Sequence, residues 1–114
     1  MKIEGQGARL TIYVSEQDQH GRHPLYHEIV QRAHDAGLAG ATVIRGVEGF
    51  GASSRLHTAR ILSLSDDLPV VIVIVDTDEK IDAFVPVLDD LIEEGLVVRE
   101  EIEVVKYAGR ERGR

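Results

Sequence analysis

The 114-residue chain contains no cysteine. That absence excludes both a disulfide framework and thiolate chemistry. Long apolar runs are missing too, and the longest, Val70 to Val75, is far too short to cross a bilayer. No basic segment followed by an apolar one opens the chain, so no secretory signal is expected and a cytoplasmic protein is the reading. Positive charge is scarce, with 13 Lys and Arg against 20 Asp and Glu, a formal charge of −7. Such an acidic chain is poorly suited to non-specific nucleic-acid binding. Several catalytic signatures are absent as well: no Walker lysine, no Rossmann glycine spacing and no nucleophile elbow. Ser53-Ser54 and His57 lie in a long connection, a poor place to hold catalytic geometry, so no enzyme activity is expected.

What remains reads as one domain, residues 1–114, with a core over about 7–107. Ala8, Leu10, Ile12 and Val14 alternate with Arg9, Thr11, Tyr13 and Ser15, the period of a half-buried strand. A polar loop follows over 16–23. Leu25, Ile29, Ala33 and Ala36 form one helical stripe, which predicts a helix over 24–36 with Pro24 in its first turn and Gly37 as its stop. Residues 42–48 are rich in β-formers and predict a second strand. Residues 50–68 show no period, and a connection of that length is functional or mobile. Val70-Val-Ile-Val-Ile-Val75 predicts a central strand covered on both faces. Asp76-Thr-Asp-Glu79 carries helix-capping character. Ile81, Phe84, Val85, Leu88, Leu91 and Ile92 then form a second stripe, with Pro86 expected to kink it or remove one internal bond. Gly95 ends that helix, and 96–107 return as a last strand.

The order strand, helix, strand, strand, helix, strand predicts an α+β, ferredoxin-like domain, with a four-stranded antiparallel sheet and both helices on one face. The other face stays bare and apolar, and further copies of the chain are the simplest cover. A homo-oligomer is expected; an inward-facing trimer satisfies it, and so does a dimer.

Three groups of residues are candidate sites. Gly46, Gly49 and Gly51 would let backbone N–H groups approach an anion, or they mark a bulged strand that ends in a turn. Arg45 and Arg9 can each pair with a phosphate or with one of the many acidic side chains. His23, His27 and His34, with His20 and Glu28 nearby, have a spacing that can hold zinc or copper; the alternative is a solvated helix face. Residues 108–114 form a basic tail, Gly-Arg-Glu-Arg-Gly-Arg at its end. It reads as a frayed terminus, or as one whose Arg110 folds back onto an anion.

Gly37-Leu-Ala-Gly-Ala-Thr42 followed by Gly49-Phe-Gly51 resembles the signature of the PII signalling proteins. Pro24-Leu-Tyr26, Leu68-Pro-Val-Val71, Asp76 and Glu94-Gly-Leu-Val97 extend the resemblance to the PII-like "domain of unknown function 190" group. The resemblance implies a homotrimer in which 50–68 corresponds to the T-loop that contacts a regulated partner, a transporter or an enzyme. It also implies an adenine nucleotide in the cleft between subunits, with Thr42 and Gly49-Phe50-Gly51 lining it. Lys106 and Arg110 fall where PII proteins place basic phosphate contacts. The chain departs from PII in having Glu48 where a lysine precedes Gly-Phe-Gly, in an extra strand residue that implies a bulge near Arg45–Gly46, and in lacking a glycine-rich B-loop. AMP or ADP, or another small anion, therefore fits better than a triphosphate. The rival is a CutA-like, metal-binding trimer that uses the first-helix histidines.

Overall fold

In a computed structural model, the described residues are 2–50, 57–58 and 68–109. Four strands form the main sheet: β1 (Lys2–Ser15), β2 (Ala41–Arg45), β3 (Pro69–Asp76) and β4 (Leu96–Ala108). Two helices cross between them, α1 (Leu25–Asp35) and α2 (Asp78–Leu91). The sheet order is β2-β3-β1-β4 and every neighbouring pair is antiparallel. This is the α+β, ferredoxin-like arrangement that the element order predicts.

The alternation in β1 sets the two faces. Leu10 pairs with Ile74, Ile12 with Ile72 and Val14 with Val70. All six are buried, and they pack with Leu25, Ile29 and Ala33 of α1 and with Ile81, Phe84, Leu88 and Leu91 of α2 in one core. Both helices therefore lie on the even-numbered side of β1. Large aliphatic side chains at a two-residue period in strands and a three-to-four-residue period in helices are what let these surfaces interlock.

Among the described residues no helix lies on the opposite face. Val71, Val73 and Val75 are half-buried there, beside exposed Tyr13, Ile44 and Leu96 at 42%, 52% and 55% exposure. A strand that is apolar on both faces, as β3 is, leaves this side without a partner among the described residues.

Several local details differ from the sequence reading. Pro24 is the N-cap of α1 and not its first helical residue, and its extended backbone feeds the helix. Within 16–23, Gln19–His20 pairs with His23–Pro24 in a short ribbon. Within the Asp76–Glu79 stretch it is Thr77 that caps α2, its hydroxyl accepting from the Lys80 N–H at 3.4 Å. The helix runs on past Pro86 to Leu91, with the proline on its exposed side. In place of a bulge near Arg45–Gly46, β2 ends at Arg45, and Gly46 donates its N–H to the Pro69 carbonyl at 2.7 Å. A Cβ on Gly46 would meet the Pro69 ring at 2.8 Å, so glycine is required there. Glu48–Gly49 then pairs with His57–Thr58, forming a separate stem.

Candidate functional site

At the head of β2 the helix-exit turn, the open sheet face and the end of β4 enclose a pocket of about 330 Å³. Its lining is Ala39, Gly40, Ala41, Thr42, Val73, Val75, Val104 and Tyr107. The walls are aliphatic and aromatic, and the polar groups on offer are two hydroxyls and turn backbone.

Local chemistry builds each wall. Gly37 takes a left-handed φ of +78°, which ends α1 and reverses the chain. Leu38 then donates its N–H back to the Ala33 carbonyl at 3.1 Å. The turn is held from outside by three side chains. Lys80 Nζ donates to the Gly37 carbonyl at 3.2 Å. The Ala39 N–H donates to Asp76 Oδ2 at 2.8 Å, and the Tyr107 hydroxyl donates to the Ala39 carbonyl at 3.0 Å. Asp76 is 1% exposed, and its other oxygen accepts from the Thr77 N–H at 2.6 Å. A buried carboxylate satisfied by two backbone donors is a rigid post, because losing either bond leaves a desolvated polar group.

The sequence candidates fall in different places. Thr42 lies on the pocket wall. Arg9 pairs in register with Val75, a lining residue, and stands on the same open face. Its guanidinium is bonded to Glu100 Oε1 at 3.1 and 3.2 Å. Arg45 lies three residues beyond Thr42 on one strand, so it points to the opposite face, where it is ion-paired with Glu16. Gly46 and Gly49 pack against Pro69, and Phe50 is 70% exposed. Lys106 is exposed beside Tyr107 on β4. Gly51, Arg110, Ser53 and Ser54, most of 50–68 and most of the 108–114 tail lie outside the described residues, as does the His57 side chain.

His23 and His27 are exposed, with ring centroids 6.4 Å apart, and His34 is turned to solvent beside Asp35. Among the described residues no group of three or more His, Cys, Asp or Glu side chains is placed to hold an ion.

Ala39, Gly40 and Ala41 belong to the quoted motif around Thr42, whereas no sequence candidate included Val104 or Tyr107. Val104 and Tyr107 come from the far end of the last strand, and only strand pairing brings them to the turn. Asp76 is legible as a motif residue, yet its bond to Ala39 spans 37 residues and has no local signal.

A second electrostatic cluster lies on the helix side, where α2 meets β4. Arg99 bonds Asp82 at 2.8 Å, Glu101 at 2.5 Å and Asp78 at 3.3 Å, and Gln6 donates to Glu101 at 2.5 Å. Partial desolvation, followed by the hydrogen bond and repulsion from Glu101, raises the Asp78 carboxyl above its ordinary range. Donation from Gln6 and then Arg99 lowers Glu101. No helix among the described residues is long and apolar enough to cross a membrane.

Residues 7–104 match the DUF190 family, described as "Uncharacterized ACR, COG1993". A UPF0166 protein of Aquifex aeolicus (strain VF5) is 34% identical over 96 residues, covering 84% of this chain and 90% of that protein. A UPF0166 protein of Methanocaldococcus jannaschii is 34% identical over 98 residues, covering 85% and 90%. Among solved structures the fold is similar to CPII, a nitrogen regulatory PII-like protein from Thiomonas intermedia K12, bound to ADP, AMP and bicarbonate. That likeness has a TM-score of 0.59 at 17% identity and covers 87% of this chain and 88% of CPII. A second CPII structure, bound to ADP and bicarbonate, has a TM-score of 0.55 at 18% identity. At that identity the likeness shows a shared, PII-like fold. On its sequence match, the chain belongs to the DUF190 family.

Proposed function

We propose that this protein is a PII-like regulatory trimer that binds an adenine nucleotide, AMP or ADP, between its copies and signals occupancy to a partner protein through residues 50–68. The observation that carries the reading is the open pocket at Thr42. Its volume of about 330 Å³ lies within the range of small-molecule sites, roughly 300–1,000 Å³. Its walls suit a flat heterocycle: Val73, Val75 and Val104 offer apolar surface and Tyr107 an aromatic ring. Thr42 and the turn backbone offer hydrogen bonds for the ring edge. The likeness to CPII, bound to ADP, AMP and bicarbonate, supports the choice of ligand.

Among the described residues no cation lines the pocket, so the phosphate needs charge from beside it. Arg9 on the same face is one source, and Lys106 or Arg110 of an adjoining copy is another. The apolar open face, with Tyr13, Ile44 and Leu96, is the surface that copies would share. Transmission then follows from connectivity. Thr42 lies on the pocket wall, and the same strand ends at Arg45, next to Gly46, which packs against Pro69 just after the 50–68 segment. A ligand that shifts β2 shifts the stem of that segment, an order–disorder device of a common type.

Calorimetry with adenosine, AMP, ADP, ATP and bicarbonate tests the reading. AMP and ADP are expected to bind, with the AMP signal weakened in Arg9→Ala and Thr42→Val. No heat from any adenine compound, with a folded protein, would end this assignment.

A further inference from the structure

β1 leaves β3 at the Ala8–Asp76 pair but stays paired with β4 as far as Lys2 and Ala108. Among the described residues, a two-stranded ribbon therefore overhangs the sheet with no third strand beside it. Such ribbons are marginal without a further contact. Its register shifts between Ile3 and Gly5, and Gly5 takes a left-handed φ of +90°, which increases local bend. The bend matters because Val104 and Tyr107, both on the ribbon, reach the pocket opposite Val75. At the ribbon's root Gly7 packs so tightly that a Cβ would lie 2.8 Å from the Asp76 carbonyl oxygen.

A polar bond ties the ribbon to the turn across the pocket. The Tyr107 hydroxyl donates to the Ala39 carbonyl at 3.0 Å, and the Ala39 N–H is already held by Asp76. Ala39 is thus gripped from the ends of two strands that are not neighbours in the sheet. We propose that Tyr107 is a positioning residue whose hydroxyl latches the β1–β4 ribbon over the pocket and so governs ligand entry. The ligand-entry half of this inference rests on the proposed nucleotide site; the latch itself does not.

Amide hydrogen exchange on the full chain tests both halves. Tyr107→Phe keeps the ring and removes only the donor. In the ligand-free protein, exchange of ribbon amides in 2–7 and 102–108 should rise about five-fold, the factor one neutral hydrogen bond supplies. Ala39 and Gly40 should accelerate alongside, while amides of Leu10 and Ile74 keep their wild-type rates. Replacing Tyr107 by 4-aminophenylalanine, which restores a para donor, should return both segments toward wild type. An unchanged rate at either segment, a uniform rise over the whole sheet, or no rescue overturns the latch. With AMP as probe, the wild type should slow at both segments, and AMP should associate faster with Tyr107→Phe. Equal association rates overturn the entry role. AMP that leaves every wild-type rate unchanged removes the nucleotide reading, and the ligand-free data still decide the latch.

Discussion

Arg9 and Glu100 face each other across β1 and β4 on the open side of the sheet, two guanidinium nitrogens meeting one carboxylate oxygen at 3.1 and 3.2 Å. Both side chains are nearly half exposed. An exposed pair of this kind contributes about 0.2–1 kcal/mol, so Glu100 restrains Arg9 only weakly. Arg9, on the pocket's face, is thus held by a partner that an anion could displace.

Glu100→Gln tests that competition. It should raise AMP affinity by about two- to five-fold, the equivalent of the exposed pair. Adenosine affinity should stay unchanged, because adenosine carries no phosphate for Arg9 to pair with. Calorimetry on both ligands reads the split, and a gain shared equally by adenosine would rule out Arg9 as the phosphate partner.

Asp76→Ala should be costly. It strips the acceptor from the Ala39 and Thr77 N–H groups at a site only 1% exposed. A loss of about 2–4 kcal/mol is expected from two stranded donors. Asp76→Asn keeps one acceptor and should lose less. Urea denaturation at fixed protein concentration measures both.

Gly7 and Gly40 provide a contrast in steric demand. Gly7→Ala forces a Cβ to 2.8 Å from the Asp76 carbonyl oxygen, which is backbone and cannot swing away. About 1–3 kcal/mol of destabilisation follows from overpacking of that kind. A Cβ on Gly40 meets nothing within 4 Å, so Gly40→Ala should leave the melting temperature within about a degree or two of wild type. Similar losses in the two variants would contradict this packing.

The Arg99 cluster predicts opposite pH trends in two variants. Asp78 has its folded-state value raised, so the stability it contributes is present at low pH and is lost as pH climbs through that value. Glu101 is lowered, so its contribution is present at higher pH and is lost as pH falls through its depressed value. Across the carboxylate range, wild type should therefore lose stability relative to Asp78→Asn as pH rises, and gain relative to Glu101→Gln. Urea curves over a pH series give both differences, and parallel slopes would refute the assignment.

Ile44→Arg and Leu96→Arg probe the open face. Both positions are more than half exposed in the single chain, so its fold should tolerate the charge. If copies share this face, each arginine must be desolvated in the assembly, and sedimentation should shift to monomer. An unaltered oligomer in both variants would place the interface elsewhere.

Much of the fold is legible in local residue patterns. The alternation from Ala8 to Val14 sorts β1 into two faces, and the Leu25, Ile29 and Ala33 stripe sets the buried side of α1. Gly37 marks a turn that only a left-handed residue ends cleanly. Local patterns mislead where distant chain overrides local preference. Lys2 to Gly7 contains poor β-formers, yet it is strand because the end of β4 pairs with it. β2 stops at Arg45 because Pro69, the next residue across, accepts the Gly46 N–H but has no N–H of its own to return.

The candidate site is legible in the same uneven way. Thr42 stands within a recognisable glycine-flanked motif and lies on the pocket wall. Arg45, three positions on, belongs with it by proximity in the chain, but a two-residue period sends it to the other face. Tyr107 has no local mark at all, since its partner Ala39 lies 68 residues earlier.

The sequence alone determined the order of elements, the side of each that is greasy, and the family. These depend on periodicity and on glycine's conformational range, which act over a few residues. Tertiary structure decided which hydroxyl meets which carbonyl, that Arg9 shares a face with the pocket and that Arg45 does not. Those outcomes depend on strand register and on how far a ribbon curls, and both are set by contacts between residues dozens of positions apart.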